Sequence, residues 1–290
     1  MLQNNYYNYS LFFVVLSIIF LGSFLMYSAS SPVAFYTYNK SDSYFLFKHF
    51  IWLTIGMSVL FIFSFIDCKF LKRHSKTILF LSWVLMLIPI MLNIETNSTY
   101  RWLKIGNFTI MTTSDFARIS IIIFTATFID KYHQRINDIK ILAIKLLPYL
   151  FITIGLIIYQ PDLSTSIVTS MIIFSLLYIA GLNSKIILGL LSSALLFFVS
   201  IIPFFPHMYN RIKYWIYGLN NQSNNSILSL ANGGFFGTGI GDSEFKYDNF
   251  IPESQTDFVL AVIGEETGFL GIIIIFILFG ILFYKGLAIS

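Results

Sequence analysis

Residues 258–284 form an apolar run interrupted only by Glu265, Glu266, Thr267 and a few glycines. About 20 apolar residues are enough to cross the hydrocarbon core of a bilayer. Seven further apolar runs precede it, at about residues 11–29, 49–66, 78–92, 114–129, 144–159, 163–180 and 186–202. Composition points the same way: 57% of residues are hydrophobic and 11% charged, and the mean hydropathy is +0.77. Soluble chains carry about a quarter charged residues. The fold class expected is all-α: a polytopic membrane helix bundle of about eight transmembrane helices. It is read as one integral membrane domain over residues 1–290, with a long outward loop at 206–257 before the last helix.

The first run is read as a retained helix, because residues 1–10 hold no Lys or Arg and no small-residue cleavage site follows. Pro32 is expected to end that helix. Alternation in Phe108-Thr109-Ile110 predicts a short extended or re-entrant piece, and residues 227–232 a short interfacial helix. The single cysteine, Cys68, excludes an internal disulfide. The net charge of +4 is modest and no basic block suits a nucleic-acid surface.

Lysine and arginine set the expected orientation. The loops after the second, fourth and sixth runs, with the short tail, hold ten of them, at 69, 72, 73, 76, 131, 135, 140, 145, 185 and 285. Their acids are Asp67, Asp130 and Asp138. These loops and the amino terminus are therefore expected in the cytoplasm. Residues 93–113 and 206–257 are expected on the opposite side together.

That outward side collects Arg101, Trp102, Lys104, Asp115, Arg118, Gln160, Asp162, Arg211, Lys213, Lys246, Glu253 and Asp257. Cations and carboxylates at a membrane surface suit an anionic headgroup or diphosphate, and Arg gives planar paired contacts to phosphoryl oxygens. The bland alternative is ordinary interfacial anchoring. Asp115 and Arg118 stand three apart on one helical face, and an ion pair is the economical reading. Asp257 lies where the last run meets water; Thr256 or Asp257 is read as a helix cap, which does not exclude Asp257 as a partly desolvated base. Glu265 and Glu266, inside the last run, are expected to be paired, hydrogen-bonded or neutralised by burial. The glycine-rich stretch 232–241 lacks the Gly-Lys-Ser/Thr of a nucleotide loop. It is read as a positive-φ or close-approach segment or as a plain flexible turn. No metal-ligand spacing and no serine nucleophile motif is evident, and no paired broken helices are expected.

Several separated stretches, in order, carry a resemblance. They are Met26-Tyr27-Ser28-Ala29-Ser30, Arg101-Trp102-Leu103-Lys104-Ile105-Gly106 and Pro161-Asp162-Leu163-Ser164-Thr165. Then come Gly233-Gly234-Phe235-Phe236-Gly237-Thr238-Gly239-Ile240-Gly241 and Pro252-Glu253-Ser254-Gln255-Thr256-Asp257-Phe258, continuing through Gly264-Glu265-Glu266-Thr267-Gly268-Phe269. With these the chain resembles the FtsW/RodA/SpoVE family of bacterial cell-wall polymerases over nearly its whole length. Ser30-Ser31-Pro32-Val33-Ala34 and Gly241-Asp242-Ser243 lean toward its division branch, FtsW.

The resemblance implies a peptidoglycan glycosyltransferase that polymerises lipid II, a disaccharide-pentapeptide on undecaprenyl diphosphate, during septal wall synthesis. It implies placement in the bacterial inner membrane at the division septum. The family's essential aspartate falls on Asp257, as general base on the acceptor sugar hydroxyl. Its loop tryptophan falls on Trp102 and its turn acid on Asp162. Arg101, Lys104, Arg118 and Arg211 become candidates for diphosphate contacts, and Glu253 for orienting the site or helping to hold a divalent cation such as Mg or Mn. The implied partners are a class B penicillin-binding transpeptidase, FtsI-like, and other divisome membrane proteins. Departures from the family pattern are Gln160 for Glu, Ser164 for Gly, Gln255 for His, Asp115 for Glu and Arg118 for Lys. The family generally has ten helices, and the sequence to Ser290 is read as lacking the last two, as a fragment, a degraded gene or a shortened family core. A non-catalytic division scaffold and a lipid II flippase are the alternative readings.

Overall fold

The computed structural model describes residues 2–37, 39–93, 99–105, 108–204, 209–210, 213–214, 216–218, 221–247, 250–251, 254 and 256–289. Two compact units are present, one made of Met1–Phe63 with Tyr214–Ser290, the other of Ser64–Lys213.

The first unit contains α1 (Leu2–Pro32), α2 (Tyr44–Ser64), α9 (Asn221–Gly233) and α10 (Val259–Ile289). Pro32 does not end the first helix abruptly. The chain continues through one π-helical turn, Val33–Thr37, whose wider hydrogen-bond ring accommodates the missing N–H. α1 and α9 both pack on α10. α2 has no buried residue among those described, so its apolar surface faces outward all round, as suits a helix solvated by lipid.

The second unit contains α3 (Cys68–Met91), the strands β1 (Trp102–Ile105) and β2 (Phe108–Thr112), and α4 (Thr113–Tyr132). α5 (Ile139–Lys145), α6 (Leu147–Tyr159), α7 (Leu163–Ile179) and α8 (Ser184–Ile201) follow. Short polar side chains start these helices. Asp67, Asp138, Asp162 and Asn183 each accept a free N–H of the first turn, from Lys69, Lys140, Thr165 and Lys185. Pro148 stands in the first turn of α6, where its missing N–H costs nothing. The fifth run, expected from about residue 144, is preceded by the short α5, and α5 and α6 meet at 44°. Leu79, Ile121, Phe124, Phe128, Leu146 and Leu177 form the centre of this unit's apolar core.

Among the described residues four helices are long and apolar enough to cross a membrane, at Ser10–Tyr36, Tyr44–Ser64, Cys68–Met91 and Val259–Ala288, or five if the bent α5–α6 pair is one span. The chain is thus a largely helical, multipass membrane protein. The expected extended piece near Phe108 is real. β1 and β2 pair antiparallel, Trp102 opposite Thr112, with a bulge between Leu103 and Lys104.

Candidate functional site

In the second unit the hairpin delivers Arg101 and Trp102 to the start of α4. The Thr113 N–H donates to Arg101 O at 2.9 Å, which ties the strand directly to the helix. The Arg101 guanidinium lies over the Trp102 ring at 5.4 Å and within 3.6 Å of Asp162 Oδ1. Asp162 is 4% exposed. Its Oδ2 accepts from Ser114 Oγ at 2.8 Å and its Oδ1 from Thr165 N at 3.2 Å. Asp162 therefore caps α7, ties it to α4 and presents a charge to Arg101. The Arg101 side chain stays 37% exposed, and its Nε is buried with no hydrogen-bond partner among the described residues. A guanidinium held by one weak contact retains donors for a further anion.

Gln160 is fully buried. Its amide donates to Met86 O at 2.9 Å and to Thr113 Oγ1 at 3.0 Å, joining α3, α4 and α6. A glutamate here would lack the N–H that Met86 O uses. Gln160→Glu is expected to cost about 1–3 kcal/mol, the range for leaving a buried polar group unsatisfied. The unfolding midpoint in detergent checks this, and an unchanged midpoint would contradict it.

Asp115 and Arg118 form the expected ion pair, 2.7 Å apart. Asp115 also accepts from the Thr112 hydroxyl. Lys104 follows the bulge of β1, opposite Thr109. Arg211 and Glu253 lie outside the described residues, as does Gln255.

The first unit holds what the sequence did not disclose. α10 is broken: Gly268 has φ +67° and ψ −168° within an otherwise continuous helix, a conformation open essentially only to glycine. The glycine-rich stretch after α9 occupies the break. Thr238 N and Gly239 N donate to Glu265 O and Glu266 O at 2.9 and 3.1 Å. Phe269 N and Leu270 N donate to Gly234 O and Phe235 O at 3.0 and 3.3 Å. The stretch thus satisfies the carbonyls and N–H groups that the break frees, which hydrocarbon cannot do. Of the two readings of these glycines, close approach prevails, and what they approach is a helix backbone. A Cβ on Gly237 would fall on Glu266 O.

Glu265 and Glu266 are 0% and 2% exposed. Glu265 Oε1 accepts from Asn232 Nδ2 at 2.8 Å and Glu244 N at 3.1 Å. Its Oε2 accepts from Ser229 Oγ at 3.0 Å and from Ser243 Oγ. Glu266 pairs with Lys246 Nζ at 2.7 Å, both side chains 1% exposed. Ser28 Oγ lies 2.9 and 2.7 Å from the two Glu266 oxygens. Lys246 also donates to Gly241 O at 2.6 Å. So α1, α9, the glycine-rich stretch and α10 are joined by two buried carboxylates. The sequence suggested partners for them without naming Lys246; a lysine five residues after Gly241 was the available signal.

Asp257 stands just before α10. It is exposed and makes no hydrogen bond or ion pair among the described residues. For the divalent cation, no group of three or more His, Cys, Asp or Glu side chains converges among the described residues. Glu253, the candidate for helping to hold it, lies outside the described residues, and no step below is routed through a metal.

The family model described as "Cell cycle protein" for FtsW, RodA and SpoVE matches residues 9–290. The chain belongs to the FtsW/RodA/SpoVE family. A probable peptidoglycan glycosyltransferase FtsW of Trichlorobacter lovleyi is 30% identical over 98% of this chain and 76% of its own length. One of Taylorella equigenitalis is 32% identical over 86% of this chain and 70% of its own. Among solved structures, a peptidoglycan synthase complex that coordinates polymerisation and crosslinking contains a chain that superposes with TM-score 0.71 at 19% identity. It covers 96% of this chain and 76% of that one. Thermus thermophilus rod shape determining protein RodA superposes with TM-score 0.63 at 20% identity, covering 96% and 73%. At those identities the structures speak for the family fold alone.

Proposed function

We propose that this family member is a peptidoglycan glycosyltransferase that polymerises lipid II during septal wall synthesis. The names of its relatives support the reaction class, and the division motifs lean toward FtsW. Within the chain, the carrying observation is a contrast among carboxylates. Asp115, Asp162, Glu265 and Glu266 are engaged by neighbours; Asp257, like Asp42, Asp242 and Glu244, has an exposed side chain with no partner among the described residues, and of these it is the one on which the family's essential aspartate falls.

In this reading Asp257 is the base. The acceptor sugar hydroxyl attacks the anomeric carbon of the donor sugar, and its proton passes to Asp257. The new C–O bond forms as the bond to the diphosphate breaks, and undecaprenyl diphosphate leaves with the electron pair. Cations stabilise that developing charge. Arg101, with donors to spare, is the first candidate, followed by Lys104, Arg118 and Arg211. Asp162 acts through Arg101 as a positioning residue. Trp102 carries the guanidinium on its face, and Glu253 orients the site. Glu265 and Glu266, the acids within the last run that a lipid II flippase could use for a polar path, are engaged locally by hydrogen bonds and an ion pair.

Eight spans are proposed for the membrane arrangement. To the four long helices and the α5–α6 pair we add α4, α7 and α8, the last two lying near the lower limit for crossing. The lysine and arginine bias then puts the amino terminus in the cytoplasm. A class B penicillin-binding transpeptidase, FtsI-like, is the proposed partner.

The test is lipid II polymerisation in proteoliposomes with the cognate transpeptidase. The parent should make glycan chains and Asp257→Asn should slow this about a hundredfold, the lower range for loss of a general base. Equal rates would remove Asp257 as base. No chains from either protein, with the transpeptidase still bound, would favour the scaffold.

A further inference from the structure

The second unit contains a cavity of about 150 Å³ where α3, α4, α5 and α6 meet. Its polar lining includes Lys76, Lys131, Lys145, Ser75, Thr127 and Tyr149. Phe124 and Phe128 form an apolar wall. Lys76 lies early in α3, Lys131 in the last turn of α4, and Lys145 at the end of α5. Three exposed lysines from three helices thus line one cavity, and no carboxylate lines it.

The acids at this end of the unit are committed elsewhere. Asp130 pairs with Lys72. Asp67 caps α3 and Asp138 caps α5. None of the three cavity lysines has an ion-pair partner among the described residues; Lys131 lies over the Tyr132 ring at 5.6 Å. Like charges gathered without a counter-charge repel one another unless an anion joins them. Ser75 supplies a second, independent sign. It is 3% exposed and lines the cavity, and its hydroxyl has no hydrogen-bond partner among the described residues. That hydroxyl is free to donate to a group that enters the cavity.

We propose that this cavity binds an organic phosphate. The three lysines neutralise it and the Ser75 hydroxyl donates to it. Its source is either the headgroup of an anionic phospholipid, with a chain lying along Phe124 and Phe128, or a soluble phosphate ester. Basic pockets between membrane helices are suited to such headgroups. The proposal does not depend on the proposed reaction.

The experiment uses the full chain in phosphatidylcholine nanodiscs doped with phosphatidylglycerol, with bound lipid read by native mass spectrometry. Retention of phosphatidylglycerol over phosphatidylcholine is expected. Lys76→Gln, Lys131→Gln and Lys145→Gln together should weaken it on the order of a hundredfold, at about fivefold for each lysine. The matched control, Lys69→Gln, Arg73→Gln and Lys140→Gln, removes as much charge from the same end but spares the cavity. It should lose less than about threefold. Arg at the three cavity positions should restore retention, which separates charge from folding. Ser75→Ala should weaken it further. Displacement by glycerol 1-phosphate would support the phosphate site with a soluble ligand as its source; resistance to displacement would support the lipid. Equal losses in the cavity and control variants, or equal retention of both lipids, would overturn the proposal.

Discussion

Lys246→Met is expected to destabilise the protein by about 3–5 kcal/mol, the range for removing one partner of a buried ion pair. The substitution leaves Glu266 buried with only the Ser28 hydroxyl for company. It also takes the ammonium donor from Gly241 O. Both charged side chains are nearly inaccessible, so water cannot take the place of Lys246. The cost of the single change reflects the stranded charge more than the net value of the pair. Lys246→Met combined with Glu266→Met should therefore recover most of the loss. Unfolding midpoints of the parent, both single variants and the double variant in one detergent complete the cycle. If the double variant loses as much as the sum of the singles, the two side chains are not coupled and this account of α10 fails.

Gly268→Ala carries the second large effect, about 2–5 kcal/mol. One part is backbone strain, since φ +67° with ψ −168° is open essentially only to glycine. The other is overpacking. The added Cβ would fall on the Gly237 amide nitrogen and lie 2.6 Å from Phe235 O. To relieve this the glycine-rich stretch must move away. The Glu265 and Glu266 carbonyls then lose Thr238 N and Gly239 N. Gly280→Ala is the control, because nothing lies within 4 Å of a Cβ there. In a regular helix that change is neutral or favourable by up to about 1 kcal/mol. Hydrogen exchange at Phe269 and Leu270 gives a local reading. Faster exchange in Gly268→Ala with the rest of α10 protected is expected, while unchanged exchange would show that the stretch does not hold the break.

Much of the architecture was legible along the chain, for a simple reason. Hydrocarbon selects long apolar helices whatever their neighbours, so the runs mark α1, α2, α3 and α10 locally. Caps are local too, and Asp67, Asp138, Asp162 and Asn183 stand where helices begin. The ion pair of Asp115 and Arg118 follows from helical spacing. The ordered motifs were sufficient to place the chain in its family.

What the tertiary structure alone decided involves residues far apart in sequence. Ser28 and Glu266 are 238 positions apart and share a hydrogen bond. Spacing cannot distinguish a carboxylate that is buried and paired from one left free to react. That difference depends on which donors the fold brings to it: Lys246 to Glu266, Ser114 and Arg101 to Asp162. The break at Gly268 was hidden for the same reason. Apolar periodicity continues across it, and a break within hydrocarbon is tolerable only where another segment supplies the lost backbone partners. That segment is the glycine-rich stretch, roughly thirty residues earlier in the chain, and only folding places it there.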